Sequence, residues 1–162
     1  MTAGTVDGVI RIPLVMYEDE RGWFCELRRD SALPAGTVQT NLSFSRAGVV
    51  RGLHYHERGQ SDLFACLRGT ARVVVLDREN GATFTEDIGE ENPVALYIPG
   101  HHAHGFEALT DVLFCYHVTA EYDSADPDEQ TICWADPRVR HLWSTDSPIV
   151  SERDRAACVE SS

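Results

Sequence analysis

The sequence predicts an all-β protein, an antiparallel sandwich or barrel of jelly-roll type with little helix. Short runs rich in Val, Leu, Phe and Tyr recur at regular spacing, turn residues separate them, and no long stretch carries helical periodicity. Residues 49–55, 63–67, 71–76, 94–98 and 113–118 read as strands. Arg68, Gly69 and Thr70 read as a tight hairpin connection, Asn80-Gly81 as a second turn, and Pro99-Gly100 as the close of the run at 94–98. A helix start stands near the carboxyl end, where Ser151 and Asp154 make an S-x-x-D capping pattern; the CVESS that ends the chain reads as a frayed tail.

At 162 residues the chain suits one domain over residues 1–162. Its hydrophobic content of 43% is globular, no apolar run nears the roughly 20 residues that cross a bilayer, and no signal peptide is evident. A soluble cytoplasmic protein is expected. The net charge of -12 opposes nucleic acid and anionic membranes as partners, while a few arginines in a cleft still suit an anionic small molecule. All 14 basic residues are arginine. Cys25, Cys66, Cys115, Cys133 and Cys158 are odd in number and lack a C-x-x-C pair, so reduced thiols, mostly small core residues, are expected.

Several segments carry a more specific signal: DERGWFCE at 19–26, QTNLSFSRAGVVRGLHYH at 39–56, IPGHHAHGF at 98–106, YHVTAEY at 116–122, WADP at 134–137 and PIVSERD at 148–154. In this order they resemble the dTDP-4-dehydrorhamnose 3,5-epimerase family over nearly the whole chain. The resemblance implies a single cupin jelly-roll barrel that pairs into a homodimer. It also implies proton exchange beside the ketone of a nucleotide-linked 4-keto-6-deoxyhexose, without a cofactor. His54 would be the base, Asp154 its orienting carboxylate and Tyr116 the acid across the ring. Arg21 and Arg51 would hold the diphosphate, Phe24, Glu26, Gln39 and Asn41 the nucleotide base or sugar, and Tyr122 would line the sugar pocket. Each has a plainer role beside this one: a hydrogen-bonded core histidine, a helix cap, a barrel aromatic, a surface arginine.

The chain departs from the family at two positions. Asp62 stands where the epimerases resemble one another in a lysine near the ketone oxygen, and His56 where a glutamine is usual. Both changes fall on a pattern similar to the general cupin metal motif, G-x5-H-x-H-x(3,4)-E-x6-G, which Gly48, His54, His56, Asp62 and Gly69 follow with one extra residue and Asp for Glu. Pro99 and His104 match half of the second cupin motif, while His101 and His102 read as loop residues at the barrel mouth. His54, His56, Asp62 and His104 would then hold a divalent metal in an isomerase, lyase or oxygenase. In that case His54 is committed as a ligand and is not free to act as base. Asp62 paired simply with His56 or Arg51 is the plainer alternative, and a nucleotide-sugar-binding domain without turnover is a third reading.

Overall fold

The computed structural model describes residues 2–3 and 6–160. Two antiparallel sheets face each other, with strands numbered along the chain. One orders β1 (Thr2–Ala3), β2 (Ile10–Pro13), β10 (Val94–Ile98), β7 (Asp62–Arg68), β12 (Val112–Val118) and β5 (Gln39–Ser45). The other orders β13 (Gln130–Thr131), β6 (Val50–Tyr55), β11 (Ala103–Ala108), β8 (Thr70–Leu76) and β9 (Thr83–Gly89). A separate hairpin pairs β3 (Met16–Asp19) with β4 (Gly22–Cys25). Helix α1 (Glu152–Glu160) packs near β6.

Alternation along each strand decides what fills the space between the sheets. Phe64 and Phe114 from the first sheet meet Phe106, Val73 and Val75 from the second in one buried cluster. Phe106 stacks on Phe114 at 3.9 Å between ring centroids, and Phe64 meets Phe114 edge-on at 5.1 Å. This aromatic layer closes the floor of the barrel. Outside the second sheet, Val50, Leu53, Val74, Leu76, Val139 and Trp143 form a further cluster beneath the carboxyl-terminal segment.

Every run read as a strand is one. The Arg68-Gly69-Thr70 turn also exists, but it is a corner rather than a hairpin: β7 and β8 lie in different sheets. Gly69 has φ +77°, and a Cβ there would sit 2.3 Å from the Asp111 carbonyl, so the chain crosses between the sheets at a point only glycine fits. Asn80-Gly81 does join a true hairpin, β8 to β9.

Two expectations are corrected. Cys133 and Cys158 form a disulfide, with Cα atoms 4.5 Å apart; Cys25, Cys66 and Cys115 are free. The partners are 25 residues apart, and only the fold brings the helix against the loop that follows β13. The same bond overturns the frayed tail, since α1 runs through Cys158 to Glu160; Ser161 and Ser162 lie outside the described residues. A nine-residue helix is marginal alone. Here the bond and the Ser151 cap, whose Oγ accepts from the Asp154 N–H at 3.1 Å, hold it in place.

Candidate active site

The site is built on a bulge. β6 pairs with β11 through His54↔His104 and then Arg51↔Phe106, so two residues of β6 oppose Gly105 alone. Strict alternation would send Arg51 and His54 to opposite faces. The extra residue instead leaves Val50 and Leu53 together in the outer cluster and turns Arg51 and His54 toward the interior. Glycine is required on both sides of this contact: a Cβ on Gly52 (φ +136°) would lie 2.8 Å from the Gly105 Cα, and one on Gly105 would lie 2.3 Å from the Arg51 carbonyl. Arg51 Nε then donates to Ser45 Oγ of β5 at 2.9 Å, away from Asp62.

His54 meets carboxylates on both ring nitrogens. Nε2 lies 2.8 Å from Asp154 Oδ1, and Nδ1 lies 3.6 Å from Glu129, which also pairs with Arg153. Asp154 is 3% exposed. Burial pushes its pKa up, but the hydrogen bond and charge of His54 outweigh that and hold it below the usual carboxylate value. Asp154 is therefore ionised and accepts the Nε2–H, which leaves Nδ1 as the ring nitrogen that can exchange a proton with another group. Glu129 is the neighbour of His54 that sequence reasoning missed. Its only signal is tertiary: it immediately precedes β13, where Thr131 pairs with His54.

Tyr116 on β12 stands opposite Asn41 of β5 and Phe64 of β7. Burial first, then the charges of Asp62 and Glu129, raise its pKa, with Arg51 acting the other way. It stays a phenol, able to give a proton. Phe64 links the halves of the site, edge-on to Tyr116 at 6.2 Å and to His104 at 5.4 Å.

The four residues of the metal reading do not converge as one set. His56, Asp62 and His104 do, with donor atoms within 4.8 Å of one another, whereas His54 turns to Asp154. His104 Nε2 lies 3.3 Å from Asp62 Oδ2, and His56 Nε2 lies 4.0 Å from Asp62 Oδ1. The Gln60 amide nitrogen donates to Asp62 Oδ1 at 3.0 Å and to His56 Nε2 at 3.1 Å. Burial disfavours charge on His104, yet the adjoining Asp62 carboxylate raises its pKa overall; for His56 burial prevails and the pKa falls. His101 is exposed, but His102 is buried, with Nε2 donating to the Asp7 carbonyl at 2.8 Å.

Of the remaining positions, Gln39 joins Asn41 (2.8 Å) and accepts the Tyr122 N–H (2.9 Å), which places all three at one end of β5. Arg21 and Phe24 stand exposed on the β3–β4 hairpin, where Arg21 pairs with Asp19 and Phe24 packs on Tyr17; Glu26, just beyond, pairs with Arg29. None of these three contacts the His54 group among the described residues. No helix of the described residues is long and apolar enough to cross a membrane.

The family model for dTDP-4-dehydrorhamnose 3,5-epimerase matches residues 3–160. The spore coat polysaccharide biosynthesis protein SpsL of Bacillus subtilis is 38% identical over 149 residues, covering 87% of this chain and 98% of that protein. The dTDP-4-dehydrorhamnose 3,5-epimerase of Methanothermobacter thermautotrophicus is 37% identical, covering 93% and 89%. Among solved structures, ChmJ, a 3'-monoepimerase from Streptomyces bikiniensis in complex with dTDP-quinovose, superposes with a TM-score of 0.87 at 27% identity, covering 97% of this chain and 86% of that one. With the His54–Asp154 pair and Tyr116 in one jelly-roll interior, these matches show that the chain belongs to the dTDP-4-dehydrorhamnose 3,5-epimerase family.

Proposed function

We propose that the protein epimerises a nucleotide-linked 4-keto-6-deoxyhexose at C3, C5 or both. The observation that carries this reading is the 2.8 Å contact between His54 Nε2 and the buried Asp154 carboxylate, which leaves Nδ1 free to take a proton. His54 removes the proton beside the ketone, and Asp154 stabilises the imidazolium that results. The electron pair moves onto the ketone oxygen as an enolate. Tyr116 then returns a proton to carbon from the other side. Asp62 does not oppose this as a bare carboxylate, because His104 and Gln60 already engage it.

Arg51, Gln39, Asn41 and Tyr122 are assigned to the nucleotide and sugar. A homodimer belongs to the same reading, and β5 supports it. This strand reverses the usual pattern, with Gln39, Asn41, Ser43 and Ser45 turned inward while Leu42 and Phe44 are each 59% exposed. Exposed Val38 and Leu67 extend this apolar surface, the kind that a second copy covers. Arg21, Phe24 and Glu26, standing apart from His54, are assigned to the site of the partner. Cytoplasmic location follows from the substrate, since a charged nucleotide sugar stays in the compartment that makes it.

Incubation with a dTDP-4-keto-6-deoxyhexose in deuterium oxide tests the reaction. Deuterium is expected at C3, C5 or both. Absence of exchange at both carbons refutes the epimerase, and tight binding without exchange leaves a binding domain.

A further inference from the structure

The proton transfers above leave three buried side chains unused. His56 is 5% exposed, Asp62 5% and His104 2%. Each imidazole is fixed through Nδ1 by a backbone carbonyl, His56 by Asp128 at 3.0 Å and His104 by His102 at 2.9 Å. A carbonyl only accepts, so both Nδ1 atoms carry hydrogen and both Nε2 atoms face Asp62. Two imidazole nitrogens and a carboxylate thus converge in a closed space. Gln60 supplies N–H groups to His56 and to one Asp62 oxygen, while the other oxygen faces His104 Nε2 at 3.3 Å, a contact that either a second ring proton on His104 or a cation between the two atoms satisfies.

We propose that His56, Asp62 and His104 bind one divalent transition-metal ion of the zinc class. Imidazoles whose far nitrogen donates to a carbonyl are oriented as metal-ligating histidines are, and this donor set of two nitrogens and one oxygen suits zinc and its neighbours. Bonds of about 2.0–2.2 Å to a tetrahedral ion put ligand atoms roughly 3.3–3.5 Å apart. The 3.3 Å and 4.0 Å separations run to different oxygens of Asp62, and the donor atoms as a set lie within 4.8 Å of one another, so binding draws the ligands together by up to about an ångström. Gln60 yields its place between His56 and Asp62, or turns its Oε1 toward the ion as a fourth ligand. His54 stays outside the set, bound to Asp154, so base and ion occupy the same cavity without competing for one imidazole. The ion changes the formal charge of the cluster from that of a lone carboxylate to net positive.

Metal content tests this apart from the epimerase activity, which deuterium exchange measures. Protein without a histidine tag is stripped with EDTA, reloaded with Zn(II) or Co(II), desalted and measured by elemental analysis. One ion per chain is expected, together with a rise in melting temperature and, for Co(II), visible d–d absorption. Asp62→Asn and His56→Gln are expected to lose the ion, and His101→Ala and His54→Asn to keep it. Wild-type protein that stays folded yet retains no stoichiometric ion overturns the proposal. So does a stoichiometric ion that survives in both ligand variants. Should those variants fail to fold, the wild-type loading and the Co(II) spectrum decide alone.

Discussion

Replacing Asp154 with Asn removes one charge while keeping the shape of the side chain and the helix that carries it. In the wild type the carboxylate lies 2.8 Å from His54 Nε2 and is 3% exposed. Unit charges centred about 4 Å apart at an effective dielectric of about 20 attract by about 4 kcal/mol. If half to all of the imidazolium charge develops in the transition state, the loss is about 2–4 kcal/mol, or roughly 30- to 1000-fold in rate. The Asn amide can also present its NH2 to Nε2, which selects the tautomer whose proton blocks Nδ1. The assay is the initial rate of deuterium entry at C3 and C5 of a dTDP-4-keto-6-deoxyhexose at saturating substrate, followed by NMR. Ser151→Ala serves as control: it weakens the helix cap but keeps the carboxylate, and so retains most of the rate. A folded Asp154→Asn protein with the wild-type rate, or a Ser151→Ala protein as slow as Asp154→Asn, refutes the dyad.

Tyr116→Phe is expected to lower inverted product by about 10²- to 10⁴-fold while leaving exchange on the His54 side measurable, so comparing exchange with inversion checks its role as acid. Gly52→Ala places a Cβ 2.8 Å from the Gly105 Cα at φ +136° and is expected to cost about 2 kcal/mol or more in denaturant unfolding, with loss of activity as the bulge shifts. The Asp154 pKa is depressed in the fold, so its stabilisation is present above the unfolded value of about 4 and is lost as pH falls through the folded value; the difference in melting temperature between wild type and Asp154→Asn is expected to hold at neutral pH and to shrink on acidification. Phe44→Asp puts a charge at the centre of the exposed β5 face and is expected to convert a dimer to monomer in analytical ultracentrifugation; an unchanged mass argues against that face.

The central strands are legible because their apolar runs are long and bounded by glycine, proline and asparagine. β5 escapes this reading because its apolar residues face outward and its polar ones inward, an inversion that makes sense only where the interior binds something polar and the exterior meets another surface. The β3–β4 hairpin and β2 are short and mostly exposed, so they carry little pattern. Residue identity and motif order point to His54, Asp154 and Tyr116 as candidates, but not to how His54 and Arg51 come to share a face. That depends on one extra residue in β6, allowed by two glycines on neighbouring strands and invisible to period-two counting. Glu129 and the Cys133–Cys158 bond are likewise products of chain crossing, since each partner lies tens of residues away.

The charges around the site are unevenly placed. Asp154 and Glu129 flank His54, Asp62 sits with His56 and His104, and among these residues Arg51 and Arg153 are the cations, with Arg153 bound to Glu129. In the proposed reaction the carboxylates beside His54 attract the positive charge that develops on the ring as it takes a proton from carbon. Burial first, then Asp62 and Glu129, raise Tyr116, and those two carboxylates would oppose the negative charge of an enolate formed beside it. Proton removal and enolate formation therefore make opposite demands on one field. Under the proposed function, neutralising Asp62, which pairs with His104 and not with His54, would ease this conflict. A proton on His104 would do this partly, and the ion proposed for His56, Asp62 and His104 would do it fully. The pair of changes at His56 and Asp62 is thus coupled: a carboxylate alone at position 62 would work against the reaction, and the two imidazoles around it supply the means of reversing its sign.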